Sequence, residues 1–424
     1  MSQGQSWDKP SFHVYTAGRW LFNEHQQLAA RCVNFNFDEL IKIAQGLDSS
    51  VCTKVEKLEE NYNKAFLLTM ESGHQVVAKV PNPNAGLPFY TTASEVATME
   101  FARTIASIPV PKVHAWNNTA DNTVGAEYII MEKSDGVVLS SQWATMSTDQ
   151  KHELIQSIIT FERSLVAHSF DRIGSIYYEN DLVDSEDSYS PTAFPKFVIG
   201  PTTDRRFLED GRRAIKSDKG PSDAKLDVIS DFRNVASFIL PKDATVTKPV
   251  LWHTDLHADN IFVDPNNPSK ILAILDWQSA HVAPLCQQVI TPAFLDFNGP
   301  KPDEGLSFPS LPENFQTLSA EEKAKAEGLQ TQQLLYKLYE IQSGRQNKDV
   351  FNALQYANTL GCQIIALISQ VFNDGETLIK GQLIQLVQQW SATVGKDGTP
   401  CPITITEDDI MQQEVDQQKW EAGV

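Results

Sequence analysis

Cysteine is scarce and scattered in this chain of 424 residues. The five cysteines are Cys32, Cys52, Cys286, Cys362 and Cys401. Zinc knuckles and small disulfide frameworks require closely spaced cysteine pairs, and no Cys-x-x-Cys pair occurs, so the sequence excludes both classes. An odd number of dispersed cysteines fits a reducing compartment. We therefore expect a cytoplasmic location, with the mitochondrion as the alternative.

Long apolar runs and an excess of positive charge are also missing. No stretch approaches the ~20 apolar residues that cross a bilayer. The N-terminal stretch MSQGQSWDKPSFHVY has no apolar core and almost no basic residue, so we expect neither a signal peptide nor a transit peptide. The formal net charge of −19 disfavours binding to nucleic-acid phosphates and to anionic membranes. We expect a soluble protein with a small-molecule partner, no nucleic-acid partner and no membrane; the sequence does not indicate its oligomeric state.

The composition that remains is typical of a globular protein, with 41% hydrophobic and 21% charged residues. Asn36 caps a predicted helix over residues 36–46. Three apolar runs between residues 52 and 80 predict an antiparallel meander, and a helix at 91–108 and two more strands follow it. The pattern predicts a small α+β lobe over residues 1–133.

Residues 134–424 are mainly helical in pattern. We expect a helix after the cap Ser147, three helical stretches after Ser319, and a surface helix in the acidic tail. Residues 177–220 are rich in Asp, Ser, Pro and Gly and predict long ordered loops, a candidate substrate-facing insertion. The chain is therefore predicted to form two lobes, 1–133 and 134–424.

The segment VLWHTDLHADNIFVDPNNPSKILAILDWQ places ionisable residues beside apolar runs typical of buried strands. Asp255 and Asn260 lie on a loop between two predicted strands, and a hairpin brings Asp276 back beside Asn260. Asn260 and Asp276 then offer an amide oxygen and a carboxylate to a hard cation such as Mg²⁺, while Asp255 is free to accept a proton from a hydroxyl. This layout is what phosphoryl transfer requires. The structural alternative is a hydrogen-bond network, including His253, that only ties down the hairpin.

A second feature lies in the first lobe. Lys79 stands in the apolar strand VVAKV, where an unpaired ammonium is costly. Glu95, in the predicted helix that follows, is a candidate partner, and a lysine held in this way would be placed to bind the α- and β-phosphates of a nucleotide. The alternative is an edge-strand lysine that faces solvent; the downstream motif favours the paired lysine.

Together these residues resemble the aminoglycoside phosphotransferase family of kinase-like small-molecule phosphotransferases. The segments IPVPKVHAW, YIIMEKSDGVVL and HTDLHADNIFVD are similar to that family's linker, hinge and catalytic loop, in that order. TTASEVATMEFAR, RIGSIYY and FVIGPTTDRRF are similar to fungal members of its altered-inheritance-of-mitochondria branch. The resemblance extends from about Arg19 to Trp390. It implies a bilobal protein-kinase-like α+β fold, with a small antiparallel-sheet N-lobe that binds nucleotide and a larger, mainly helical C-lobe.

The resemblance also implies ATP and Mg²⁺ as cofactors and gives roles to individual residues. His253 would brace the catalytic loop without reacting. The implied site residues are the catalytic base Asp255, the Mg²⁺ ligands Asn260 and Asp276, the phosphate-binding Lys79 with its partner Glu95, and Met131, Glu132 and Ser134 around the adenine.

The sequence departs from kinase patterns in ways that bear on function. The turn between the first two strands, EENYNK, contains no glycine, and its glutamates would repel a triphosphate. No Ala-Pro-Glu motif follows Asp276, and Leu256–His257 stand where protein kinases place a lysine, so a protein substrate is disfavoured. We expect an ATP- and Mg²⁺-dependent kinase that transfers the γ-phosphoryl group to a hydroxyl of a small metabolite or amine-bearing compound. The alternative is a catalytically weak nucleotide-binding or scaffolding protein, and the sequence does not identify the acceptor.

Overall fold

The computed structural model describes residues 7–59, 61–182, 190–205, 223–302, 305, 307–368, 371, 376–394 and 398–422. By the density of its contacts the chain divides into two compact units. The first comprises Met1–Arg213, Pro249–Ala283 and Thr291–Asn347, and the second comprises Ala214–Lys248, Pro284–Ile290 and Lys348–Val424. Every candidate site residue belongs to the first unit. The lobe boundary predicted at residue 133 stays a prediction.

The strands and helices of the described residues follow in chain order. The strands are β1 Cys52–Glu59, β2 Asn63–Met70, β3 Gln75–Pro81, β4 Val113–Asn117, β5 Tyr128–Glu132, β6 Val137–Val138, β7 Ser175–Tyr178, β8 Ser190–Pro191, β9 Phe197–Gly200, β10 Pro249–Trp252, β11 Ile261–Asp264, β12 Asn267–Ile274 and β13 His281–Pro284. The helices are α1 Glu24–Ala29, α2 Phe37–Asp48, α3 Tyr90–Thr104, α4 Ser140–Trp143, α5 Thr148–Ala167, α6 Glu179–Leu182, α7 Asp223–Ile239, α8 Ala244–Thr247, α9 Leu285–Gln288, α10 Ala320–Gln346, α11 Lys348–Ala357, α12 Leu360–Leu367, α13 Glu376–Gln388, α14 Trp390–Thr393 and α15 Glu407–Glu421.

A five-stranded antiparallel sheet in the order β1-β2-β3-β5-β4 forms the first lobe, and β1 to β3 are the predicted meander. The apolar face of α2 is buried in one core with the sheet, where the ring centroid of Phe37 lies 4.7 Å from that of Phe66. As predicted, the Asn36 side chain caps α2 by accepting a hydrogen bond from the Glu39 amide at 3.1 Å. The helix continues past Gly46, because the left-handed conformation that ends it is taken by Ser49 (φ 49°).

Helix α3 is enclosed by protein on nearly every side. All of its residues from Thr91 to Met99 are buried, including Glu95. Its position in the sequence agrees with the helix predicted over residues 91–108. Because Glu95 is buried with the rest of this helix, its carboxylate requires a partner inside the protein.

Strands β10, β11 and β12 frame the segment that carries the phosphoryl-transfer motif. β11 and β12 form the predicted antiparallel hairpin, with Ile261 opposite Ile274, and β6 pairs with the other edge of β11. Gly136 permits this junction, because its φ is +93° and a Cβ there would lie only 2.3 Å from the Val263 carbonyl oxygen. The chain that leaves the first lobe thus runs directly alongside the motif hairpin.

The segment over residues 177–220, predicted as long loops, contains regular structure. β7, β9 and β8 form a three-stranded antiparallel sheet, so the prediction of loops was wrong for these strands. Each strand is only two to four residues long. Such short runs among turn-forming residues have no clear local pattern, and they become strands through their tertiary pairing. Residues 183–189 and 206–222 lie outside the described residues.

Helices α5 and α10 pack together in the first unit. Ser147 caps α5 and Ser319 caps α10, each with a capping box. Glu162 of α5 is buried, and its two carboxyl oxygens lie 2.9 and 3.0 Å from the Tyr339 hydroxyl of α10, which donates to them. Burial raises the pKa of Glu162 to about 8, so this carboxyl is protonated at neutral pH.

The second unit is helical and has its own apolar core, built from α7, α12, α13 and α14. The second of the three helical stretches predicted after Ser319 forms two helices, α11 and α12. They are separate because Thr359 starts a new helix by accepting a hydrogen bond from the Cys362 amide at 3.2 Å. The acidic tail forms the predicted helix α15, with a capping box between Thr406 and Asp409.

The small antiparallel sheet and the mainly helical remainder confirm the predicted bilobal, kinase-like α+β fold. The five cysteines are free thiols. Within the described ranges, no helix is both long enough and apolar enough to cross a membrane.

Glu162→Gln is expected to reduce the pH dependence of stability. The unfolded carboxyl releases its proton near pH 4.5, whereas the folded one retains it to about pH 8. The contribution of Glu162 to stability is therefore complete below the unfolded pKa and is lost as the pH rises through the folded pKa. The loss is about 1.4 kcal/mol per pKa unit, a few kcal/mol at most. Glutamine still accepts a hydrogen bond from Tyr339 but does not titrate.

Thermal denaturation at about pH 5 and about pH 8 checks this. The variant should lose less stability between the two pH values than the unsubstituted protein. Glu153→Gln, at an exposed position of the same helix, is the matched control and should behave like the unsubstituted protein. An unchanged pH dependence in Glu162→Gln would contradict the assignment.

Candidate active site

Lys79, Glu95 and Asp276 form one ion-paired cluster. Lys79 Nζ lies 2.8 Å from Glu95 Oε1 and 3.3 Å from Asp276 Oδ1. The Lys79 and Glu95 side chains are 3% and 2% exposed, whereas the Asp276 side chain is 39% exposed. The predicted ion pair between Lys79 and Glu95 is confirmed. Asp276 lies 197 positions after Lys79, so the segment after the motif hairpin meets the first lobe at this ammonium group.

The register of the sheet explains why Lys79 and Met131 face the same side. Between β3 and β5, Lys79 is paired with Ile129 and Val77 with Met131. Paired residues of neighbouring strands, and residues two apart on one strand, project to the same face of a sheet. Lys79 and Met131 therefore share a face, as a phosphate-binding lysine and an adenine-pocket residue require.

Glu132 and Ser134 continue the chain from the end of β5 toward β6. The Glu132 amide donates to the Lys112 carbonyl oxygen at 2.8 Å, so this amide is already engaged. The Ser134 hydroxyl oxygen is buried and has no hydrogen-bond partner among the described residues. The adenine-binding role of this short connection stays a prediction.

Two buried residues hold the loop between β10 and β11. His253 donates from Nε2 to the Leu275 carbonyl oxygen at 2.8 Å, and its ring centroid lies 4.8 Å from that of Trp277. Burial lowers the pKa of His253 below its ordinary value, so the ring is neutral near neutral pH, with its proton on Nε2. Asn260 donates from Nδ2 to the main-chain oxygen of Asp255 at 2.9 Å. The backbone of the loop is thereby fixed from both ends.

Asp255 lies on this braced loop with its carboxylate open to solvent. Its side chain is 69% exposed, and His257 Nε2 lies 3.8 Å from its Oδ2. A small-molecule hydroxyl can therefore reach the carboxylate, while the loop backbone holds it in place.

Asp276 follows the end of β12 in an unusual conformation. Its φ is +56°, in the left-handed region that non-glycine residues seldom adopt. Burial by itself raises the pKa of its carboxyl. The positive charge of Lys79 and the hydrogen bond from Lys79 outweigh that effect, with a smaller contribution from Arg205, and the pKa lies below its ordinary value. Asp276 is therefore a carboxylate at neutral pH.

The side chains beside the loop fit a hard divalent cation. The amide nitrogen of Asn260 is engaged by Asp255, which leaves the Oδ1 oxygen as the free end of that side chain. Asp276 adds a partly exposed carboxylate. Within the part of the chain that is described, no three His, Cys, Asp or Glu side chains converge on one point. This donor set suits Mg²⁺, which commonly takes one or two protein ligands and completes its shell with phosphate and water oxygens.

A polar cluster beside Asp276 was not predicted from the sequence. Asn63 and Gln278 form a reciprocal amide pair, with N···O distances of 3.2 and 3.1 Å. Arg205 donates to the Gln278 Oε1 oxygen at 3.1 Å, and its guanidinium carbon lies 3.6 Å from the centroid of the Tyr62 ring. The basic pair RR in an otherwise loop-like segment was the available signal, but nothing local indicates which residues it meets.

Residues 54–291 match the model of the phosphotransferase enzyme family, APH. The matched range is more than half of the chain. It contains Lys79, Glu95 and the whole motif through Asp276, as well as the polar cluster beside it.

Two fungal relatives align with most of the chain. A subtelomeric hrmA-associated cluster protein of Aspergillus fumigatus is 28% identical, over 88% of this chain and 86% of the relative. Altered inheritance of mitochondria protein 9, mitochondrial, of Yarrowia lipolytica is 22% identical, over 97% of this chain and 82% of the relative. Among solved structures, a thermostable aminoglycoside phosphotransferase mutant with ADP and hygromycin B aligns with a TM-score of 0.40 at 14% identity. That alignment covers 82% of this chain and 98% of the other.

Lys79→Met and Glu95→Gln are expected to be less than additive in their effect on stability. Lys79→Met leaves the Glu95 carboxylate buried without its cation, which costs about 3–5 kcal/mol for a pair of this kind. The double variant leaves neither charge behind, so its cost should be smaller than the sum of the single costs. Urea denaturation of the four proteins in this cycle measures the coupling.

Lys64 offers a matched control. It is also a buried lysine in the same sheet, but its ammonium donates to the carbonyl oxygen of Arg31 and to Asn82 Oδ1. Lys64→Met combined with Glu95→Gln should be additive. Additive costs for the Lys79 and Glu95 substitutions would contradict the inferred coupling.

Proposed function

We propose that this chain, which belongs to the phosphotransferase enzyme family, is an ATP- and Mg²⁺-dependent small-molecule kinase. The reaction we assign to it transfers the γ-phosphoryl group of ATP to a hydroxyl of a small metabolite or amine-bearing compound. The single observation that supports this most is the contact of Lys79 with both Glu95 and Asp276. It links the nucleotide lobe to the motif that contains Asp255 and Asn260.

In this proposal the first lobe binds the nucleotide. Lys79 holds the α- and β-phosphates, and Glu95 keeps the ammonium group in position. Met131 lines the back of the adenine pocket, and the backbone from Glu132 to Ser134 binds the adenine edge. The shared sheet face of Lys79 and Met131 supports this assignment.

Asn260 and Asp276 would hold Mg²⁺ through one amide oxygen and one carboxylate oxygen. When bound, the cation neutralises charge on the β- and γ-phosphates during transfer. Asp276 is suited to this role because it remains ionised and part of its side chain remains exposed.

Asp255 is assigned as the general base. It accepts the proton of the acceptor hydroxyl while that oxygen forms its bond to the γ-phosphorus. The bond between the γ-phosphorus and the bridging oxygen breaks, and its electron pair remains on ADP. The exposure of Asp255 on a braced loop supports this role.

The net charge and the absence of a protein-kinase motif indicate the class of acceptor. A formal net charge of −19 favours the approach of cationic, amine-bearing compounds. The absence of an Ala-Pro-Glu motif after Asp276 disfavours a protein acceptor. For location we propose the cytoplasm, with the mitochondrion as the alternative.

A catalytically weak nucleotide-binding or scaffolding protein is the second candidate. It is favoured by the turn between β1 and β2, where no glycine is available to bring backbone amides close to the phosphates. Glu60 of this turn lies outside the described residues. The two functions differ in the expected behaviour of variants at the two aspartates.

Asp255→Asn is expected to reduce turnover about 10²–10⁴-fold, because a lost general base acts mainly in the transition state. Metal-dependent binding of ATP should remain nearly unchanged. Asp276→Asn is expected to lose both turnover and the effect of Mg²⁺ on nucleotide affinity. Calorimetric titration with ATP, with and without Mg²⁺, measures binding, and ATP consumption with a metabolite library measures turnover.

Asp264→Asn is the control at a third aspartate, placed at the end of β11 away from the loop that carries Asp255. It should leave binding and turnover unchanged. If Asp255→Asn abolished Mg²⁺-dependent binding and Asp276→Asn did not, the two roles would be reversed. Binding of ATP without turnover on any acceptor would favour the scaffolding protein.

A further inference from the structure

The segment that precedes Arg205 is anchored to the first unit at three successive points. The Tyr177 hydroxyl donates to the Pro201 carbonyl oxygen at 2.6 Å. The Thr203 amide donates to the Ser175 hydroxyl at 2.9 Å, and the two hydroxyls lie 2.9 Å apart. These contacts are on β7, so the segment is held against the small three-stranded sheet.

The third anchor is a buried acid–base pair. Asp204 Oδ2 lies 3.4 Å from His281 Nε2, and both side chains are 6% exposed. Arg205 is the next residue. Its side chain therefore extends from a fixed point and not from a freely moving loop.

Arg205 reaches both the turn after β1 and the residues after Asp276. Its guanidinium stacks on Tyr62 and donates to Gln278, as described above. The Nε atom of Arg205 is buried and has no hydrogen-bond partner among the described residues. Among the described residues only Nη2 of this guanidinium has a hydrogen-bond partner, so an anion beside the segment that follows Asp276 can accept from the other terminal donors.

The same contacts hold Tyr62 and Asn63, at the end of the glycine-free turn. Asn63 begins β2 directly after Tyr62, and its reciprocal amide pair with Gln278 ties the start of that strand to the segment after Asp276. Tyr62 is held by the cation–π contact with Arg205. Side-chain contacts thus hold the end of this turn in place. A glycine-rich turn would instead bring its backbone close to a ligand.

The charge of Arg205 also lies beside the segment that contains the candidate metal ligand Asp276. Its guanidinium donates to Gln278 Oε1 at 3.1 Å, and Gln278 follows Asp276 by two positions. Arg205 therefore adds a second positive charge to this segment, in addition to that of Lys79. Two fixed cations that contact one segment suit a polyphosphate with a bound divalent cation.

We propose that Arg205 is a phosphate-binding residue that contacts the terminal phosphates of the nucleotide, held in place by Tyr62 and Gln278. This inference rests on the proposed function, since it assigns a further residue to the same nucleotide site. The ligand groups are the outer phosphates of a nucleoside triphosphate. The turn after β1 supports Arg205 through Tyr62.

Calorimetric titration of Arg205→Ala with ATP, ADP and AMP, in the presence of Mg²⁺, tests the proposal. The affinity for ATP should fall about ten- to hundredfold, as expected for the loss of charge-assisted hydrogen bonds, with a smaller fall for ADP and none for AMP. Arg205→Lys keeps the charge but not the planar fork, so it should recover part of the affinity for ATP. Arg163→Ala removes the same charge at an exposed position of α5 and is the matched control, with no expected change.

An equal loss of affinity for all three nucleotides would overturn the proposal, because a purely structural stack on Tyr62 would affect the adenine site as well. Unchanged affinity for ATP in Arg205→Ala would overturn it too, while leaving the proposed function intact. Should Arg205→Ala fail to fold, the same titrations of Arg205→Lys decide between these outcomes, with a weaker but still phosphate-dependent loss expected. If the unsubstituted protein bound none of the three nucleotides, the proposed function and this inference would both be wrong.

Discussion

A buried ammonium group needs compensating charge, and this requirement at Lys79 determines how the first unit is assembled. The ammonium lies in the middle of an apolar strand and is compensated by Glu95 from α3 and Asp276 from the segment after β12. Removing Lys79 would leave the buried Glu95 carboxylate without this cation, at a cost of several kcal/mol. The sheet, the enclosed helix and the motif hairpin are therefore coupled through one group of atoms.

The hydrogen bonds that brace the loop come from buried side chains, and the two aspartates assigned to the reaction are partly exposed. His253 and Asn260 use their hydrogen bonds on the main chain of Leu275 and Asp255, so they fix the backbone on both sides of the loop. Asp255 and Asp276 keep carboxylate surface open, 69% and 39% of their side chains respectively. The two aspartates are thus accessible while buried hydrogen bonds hold the backbone beside them, an arrangement that favours positioned groups in catalysis.

The polar cluster beside Asp276 supplies a second contact between the first lobe and the segment after β12. At the end of the turn after β1, Asn82 donates to the main-chain oxygens of Asn61 and Tyr62, and the side chains of Tyr62 and Asn63 make further contacts. Arg205 stacks on Tyr62, Gln278 pairs with Asn63, and Arg205 donates to Gln278. In our proposal, the residues that fix this turn also bring a second cation to the phosphates. Phosphate binding would then depend on side-chain charge more than on backbone amides.

Local sequence determined the elements whose causes are local. The caps Asn36 and Ser147, the meander and the motif hairpin follow from side-chain bonding over three residues and from apolar alternation. The ion pair of Lys79 was predictable, because a lysine in an apolar strand requires a partner. Tertiary structure alone decided the strands within residues 177–220 and the pair of Asn63 with Gln278, which lie 215 positions apart. Such contacts depend on which surfaces meet after folding, and no short-range pattern encodes that choice.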